Sequence, residues 1–207
     1  MELRLVTPAT ADLVTLAEAK AHLRILHDDD DDYISALCET VRDHLTGENG
    51  WLGVSVLPQT WELTFSRFPC YDVEWPPAWQ PMQTARPRSA VPLPRPPLVS
   101  VIGVFYTPSS GVEEEITDFR TYGTAIQAGA YLMPARNKNW PTTDDEPGSV
   151  RIRYTAGYAT LPKAIKHAAL LLIGHWYENR EAATEAKMND LPMAVSALLA
   201  PYRNFFS

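Results

Sequence analysis

The sequence predicts an α+β protein: a helical bundle of two N-terminal helices plus long C-terminal helices, with a small antiparallel β region inserted between them. Three observations carry that expectation. Helical periodicity fills residues 15–47 and returns at 162–178. Alternating or continuous apolar runs lie between. The elements come as helices, then strands, then helices, not in βαβ order. The expected division is residues 1–50 for the N-terminal helices, 51–157 for the β insertion, 158–190 for the central helix with a charged segment, and 191–207 for a last segment.

Thr15-Leu-Ala-Glu18 has capping-box spacing, with Thr15 able to bond the third helical N–H and Glu18 to reach back. The short helix that follows stops near His27. Ile34, Leu37, Cys38, Val41 and Leu45 then recur as one stripe, so a second helix runs to Thr46-Gly47. Its start carries Asp28, Asp29, Asp30, Asp31 and Asp32, where the helix macrodipole favours each carboxylate by about 0.3–1 kcal/mol. Thr60 to Phe65 alternates and reads as a strand, whereas residues 69–97, rich in Pro and Trp, read as a long extended excursion. Leu98–Tyr106 is the strongest strand signal, with Pro108–Gly111 as its turn. Weaker strands are expected near Glu115–Thr117 and Ala130–Met133. Val150, Ile152 and Tyr154 alternate with Arg151 and Arg153, a half-buried strand. Thr160 as N-cap and Pro162 in the first turn would open the next helix, where Ile165, Ala169, Leu172 and Trp176 share a face. Between Ala168 and Ile173 that helix is apolar nearly all round, which marks it as the centre of the core. A last helix is expected from Leu191-Pro192.

Charge is unevenly spread. Residues 1–50 hold 4 Lys and Arg against 11 Asp and Glu, so the whole net charge of -7 sits there, and residues 51–207 hold 14 of each. An acidic chain without a basic stripe argues against dedicated nucleic-acid binding, but not against an acidic wall past which DNA moves. Two cysteines, Cys38 and Cys70, make neither a thiolate zinc site nor a disulfide framework. The first ten residues lack a secretory h-region, and the longest apolar run, Ala168–Ile173, falls far short of the roughly 20 residues of a membrane span. The expectation is a soluble chain, cytoplasmic at synthesis, with no membrane association.

Chemical motifs are sparse. Asp28, Asp30, Asp32 and Glu39 match four positions of a calcium loop, but Tyr33 stands where the template needs Gly. His167, His175 and Glu178 share one helix without zincin spacing, so a capping role is the better account and a metal-dependent hydrolase the remote one. Gly47, Gly50 and Gly53 lack the Lys-Ser/Thr ending of a P-loop, and no G-x-S-x-G elbow occurs. No cofactor and no catalysis are expected. Pro92-Leu-Pro-Arg-Pro-Pro97 reads as a stiff lead-in to a strand, with a polyproline ligand as its alternative. Trp75 and Trp79 either cover their own β region or meet a partner, and a carbohydrate-binding module using these two indoles is the rival functional class. Tyr202, Phe205 and Phe206 lie beside Arg203 at the end of the sequence. They either fold back on the bundle or enter a partner as aromatic and Arg anchors.

Three blocks carry a family resemblance. LVTPATADLVTLAEAKAHLRILHDDDDDYISALCETVRDHLTGENGW resembles the N-terminal signature of tailed-phage head–tail adaptor (connector) proteins. LPRPPLVSVIGVFY is similar to the middle strand of their long members, and RYTAGYATLPKAIKHAALLLIGHWYENRE resembles their C-terminal signature. Some such proteins serve in gene transfer agents, phage-derived particles that carry host DNA. The resemblance implies a structural protein of the particle neck, assembled in the host cytoplasm. It would form a homo-oligomeric ring, commonly of twelve copies, under the portal protein and join it to the next head-completion (stopper) or tail-proximal ring. DNA would pass through without specific binding. By that resemblance residues 191–207, with Leu191, Pro192, Leu198, Leu199, Tyr202, Arg203, Phe205 and Phe206, would dock on the portal. The acidic run Asp28–Asp32 fits, as a separate hypothesis, a face toward the DNA conduit, where like charge keeps the polyanion from sticking.

Overall fold

The computed structural model describes residues 1–47, 50–69, 87, 89–123, 129–179 and 192–204. Two compact units divide the chain: Met1–Pro8 with Pro58–Gly157, and Ala9–Leu57 with Tyr158–Ser207. Among the described residues are four helices and eight strands, the strands forming two antiparallel sheets. This corrects the predicted class. The protein is a mixed α/β fold with extensive sheet and short helices, not a helical bundle with long C-terminal helices and a small β insertion. Three further strands, not among those expected, make the difference: β1 (Glu2–Thr7), β3 (Val91–Leu93) and β6 (Phe119–Tyr122). The last helix is also short, seven residues before a 3-10 turn that contains Pro201.

In the first unit, β1, β2 (Gln59–Phe65), β8 (Val150–Ala156), β4 (Leu98–Tyr106) and β5 (Glu114–Glu115) form a five-stranded sheet in that order. β3, β7 (Ala130–Pro134) and β6 form a three-stranded one. β8 supplies the inner face in strict alternation, with Val150, Ile152, Tyr154 and Ala156 buried. Its cross-strand partners continue the face: Ile152 lies between Leu63 and Val104, and Tyr154 between Trp61 and Val101. Val91 and Leu132, from the other sheet, join the same apolar cluster. Where β8 turns its other face, Arg153 stands opposite Glu62, and Arg4 stands opposite Glu62 on the far side. The Glu62 carboxylate accepts hydrogen bonds from Arg153 at 2.6 Å and Arg4 at 2.8 Å while itself only 5% exposed. Burial alone would raise its pKa, but the two arginines outweigh burial and hold it below the ordinary carboxylate value. A Cβ at Gly103 of β4 would meet the Phe105 ring at 2.6 Å, so the ring would have to move aside.

In the second unit, α1 (Leu16–Leu23) opens on the predicted capping box and ends at Arg24, which takes a left-handed conformation (φ 58). α2 (Asp31–Thr46) buries Ile34, Leu37, Val41 and Leu45 as its spacing requires, and Cys38, on the same stripe, stays partly exposed. It stops at Gly47, where a Cβ would lie 2.5 Å from the Asp43 carbonyl. α3 (Lys163–Glu178) buries Ile165, Ala168, Ala169, Leu172 and Ile173, and its N-cap is Pro162, not Thr160. Both α2 and α4 (Met193–Leu199) pack on α3.

Trp176, expected in the core, is half-buried with its ring against the edge of His44 at 5.8 Å. Burial holds the His44 imidazole below its ordinary pKa. A base whose folded pKa is depressed binds protons more readily when unfolded. The stability it contributes is complete above its unfolded pKa, near 6.5, and is lost as pH falls toward the folded value. Thermal melts between pH 7.5 and 5 should therefore show a downward drift in Tm, and His44→Phe should flatten it. An equal drift in both chains would exclude this histidine as its source.

Candidate interaction site

The last segment is built from an uncharged run. Residues 191–202 contain no Lys, Arg, Asp, Glu or His, so any face of α4 that meets water does so without a charged side chain. Val195 and Leu199, one helical turn apart, are 1% and 0% exposed and anchor the helix in its own unit. Met193 is 88% exposed, and Ala194 and Ala197 stand exposed beside it. A 3-10 turn (Ala200–Tyr202) then carries the chain back. The Tyr202 ring meets the Tyr158 ring edge-on at 6.4 Å, and the Arg203 guanidinium lies 4.1 Å from the centroid of the Trp51 ring. The Asn204 N–H donates to the Leu52 carbonyl at 2.8 Å. Burial pushes the Tyr158 phenol up to about 12, with Tyr202 adding to the shift.

This geometry sorts the residues named from the sequence. Leu199 is 0% exposed and packs within its own unit. Tyr202 and Arg203 are half-buried on partners of their own chain, and Pro192 and Leu198 are partly exposed. Leu191, Phe205 and Phe206 lie outside the described residues, as do Trp75, Trp79 and Cys70. Met193, Ala194 and Ala197, inside the 191–207 segment but not singled out within it, are the exposed residues of α4. The absence of charge in their neighbourhood was a legible signal, but which face of α4 turns outward was not.

The acidic run is partly neutralised from within. Lys20 of α1 reaches both Asp28 and Asp31 at 2.6 Å, and its hydrogen bond lowers the Asp28 pKa while its own is raised by Asp28 and then Asp31. The Tyr177 hydroxyl donates to Asp30. Asp29 and Asp32 remain exposed. Because α2 begins at Asp31, the calcium-loop pattern runs into helix. His167 and His175 are both exposed on α3, and the Asn179 side chain bonds the His175 carbonyl at the helix end. Among the described residues no three His, Cys, Asp or Glu side chains come together to hold a metal ion. No described helix is long and apolar enough to cross a membrane.

What these elements define first is a fold class: a five- and a three-stranded antiparallel sheet in one unit, and four short helices in another. Solved structures share it over the full chain. One chain of the "Neck of empty GTA particle computed with C6 symmetry" matches with a TM-score of 0.69 and 20% identity, covering 100% of this chain and 97% of that one. A chain of the "Virion of native gene transfer agent (GTA) particle" matches at 0.67 and 19% identity, with the same coverage. A third, from the "Neck of native GTA particle computed with C12 symmetry", matches at 0.61 and 20%. At these identities the likeness establishes the fold, and it agrees with the resemblance carried by the three sequence blocks. No protein-family model and no curated protein matches the sequence.

Proposed function

We propose that this chain is a structural component of the neck of a phage-like particle, of the gene transfer agent kind. In this reading it acts as the head–tail adaptor: copies form a ring under the portal, join it to the next ring toward the tail, and carry out no catalysis. The observation that carries the reading is the end-to-end likeness of fold to chains of gene transfer agent particles, 100% of this chain against 97% of theirs. The uncharged outward face of α4 supports a docking role for residues 192–204, because an exposed helix face without charge gains most by being covered. Asp29 and Asp32, exposed at the start of α2, suit a wall of the DNA conduit, since like charge keeps a polyanion from sticking.

Residues 191–207 contain no Lys, Asp or Glu, so cross-linkers directed at side-chain amines or carboxylates find no target there. The test is a benzophenone amino acid placed at Met193 in assembled particles, followed by mass spectrometry after irradiation. Cross-links to a portal subunit are expected. Links confined to the chain itself would remove the docking assignment.

A further inference from the structure

Both ends of the five-stranded sheet are open. β1 is bonded to β2, and no described strand lies on its other side. At the far end β5 covers only Phe105 and Tyr106 of β4, and the Ile116 N–H donates to the Val104 carbonyl. From Leu98 to Gly103 no described strand pairs with the side of β4 turned away from β8. A monomer normally guards such an edge with lysine, proline, an inward-pointing charge or a bulge. This stretch, Leu-Val-Ser-Val-Ile-Gly, has no charge and no proline. Its two bulges carry Val99 and Ile102 as their extra residues, and these stand in water at 55% and 54% exposure.

Three features say what covers it. β1 is six residues long, and Leu98–Gly103 is the same length. Pairing is antiparallel from β1 to β2, β2 to β8 and β8 to β4, so β1 and β4 run in opposite directions. A second copy set alongside in the same orientation therefore brings its β1 antiparallel to β4. The core-facing residues, Leu3 and Leu5 of β1 and Val101 and Val104 of β4, then fall on one side of the joined sheet.

We propose that the open edge of β4 is the surface through which copies of this chain meet: β1 of a neighbour adds to Leu98–Gly103 as a further antiparallel strand and covers Val99 and Ile102. A head-to-tail contact leaves one edge of each kind free, so it repeats until a ring closes, whereas β4 pairing with a second β4 would stop at a dimer. The inference rests on the ring reading above and names the interface that builds it.

The test places a benzophenone amino acid at Val99 of the full-length chain in assembled particles. Irradiation should give a two-chain band in which Val99 is joined to residues 2–7. Within one copy β2 and β8 separate β1 from β4, so that link identifies a neighbour. Links to β4 of another copy, to a different protein or only within one chain would overturn the proposal. Val99→Lys with Ile102→Lys reads the same contact by charge. Both positions are exposed, so the purified variant should melt as wild type does. Its entry into necks should fall roughly a hundredfold, because two ammonium groups set against a paired strand find no partner there. A folded variant that still completes necks would overturn the interface. Particles that lack the wild-type chain altogether would remove the neck reading and the interface with it; particles that hold the chain without the β1–β4 link would remove the interface alone.

Discussion

Particles carrying Met193→Asp with Ala194→Glu should lose head-to-tail joining while the protein itself still folds. Both side chains are exposed at the first turn of α4, where acidic residues are favoured by the helix dipole, so thermal stability should move by no more than about 0.5 kcal/mol. On an uncharged docking face the same carboxylates would be buried without partners. That costs about 3 kcal/mol or more, a hundredfold in affinity, and a ring repeats the loss in every copy. The measurement is DNA-delivering particles per assembled head, set beside the melting temperature of the purified variant. Normal particle yield would remove α4 from the interface. The substitutions are a cleaner probe than deleting residues 191–207, because that deletion also strips Val195 and Leu199 from the core and confuses failure to dock with failure to fold.

Glu62→Ala should be the most damaging single change on the polar face of the five-stranded sheet. It removes the one carboxylate that Arg4 and Arg153 both hydrogen-bond, and that Arg151, which keeps its pair with Glu113 at 2.7 Å, approaches at 3.9 Å. Removing one member of a buried ion cluster costs about 3–5 kcal/mol; the partial exposure of the arginines brings the expectation to about 2–3 kcal/mol. For a chain of this size that is roughly a 5–10 °C fall in Tm. The sign of the acid response follows from the lowered Glu62 pKa. Its contribution is present above its unfolded value, near 4.5, and is lost as pH falls through the folded one, so the variant should lack that part of the acid destabilisation. Urea unfolding at pH 7 and pH 3.5 would show both effects. A variant as stable as wild type at pH 7 would mean that water already serves these arginines.

Strong local periodicity proved sufficient for some elements. The α2 stripe, the β8 alternation, the Leu98–Tyr106 strand and the Thr15–Glu18 capping box all stand where residue order places them, because each is decided by side chains within one or two turns or one strand. β1, β3 and β6 were not visible in the same way. β1 gains its hydrogen bonds from β2, more than fifty residues away, and β3 contains Pro92, tolerated because β3 lies at a sheet edge. Their pairing turned an expected small insertion into two sheets, and with it the fold class.

The amino-acid order alone determined where charge is absent, where a helix can start, and that the 191–202 stretch offers nothing but apolar and neutral surface. It also carried the family resemblance, in blocks whose spacing is local. Only the tertiary structure decided which of those apolar groups are consumed internally. Leu199 and Met193 are both large and apolar in one short helix, yet one is sealed against its own unit and the other stands in water. That assignment depends on the direction from which the rest of the chain covers α4, a property of long-range packing that composition and periodicity do not contain.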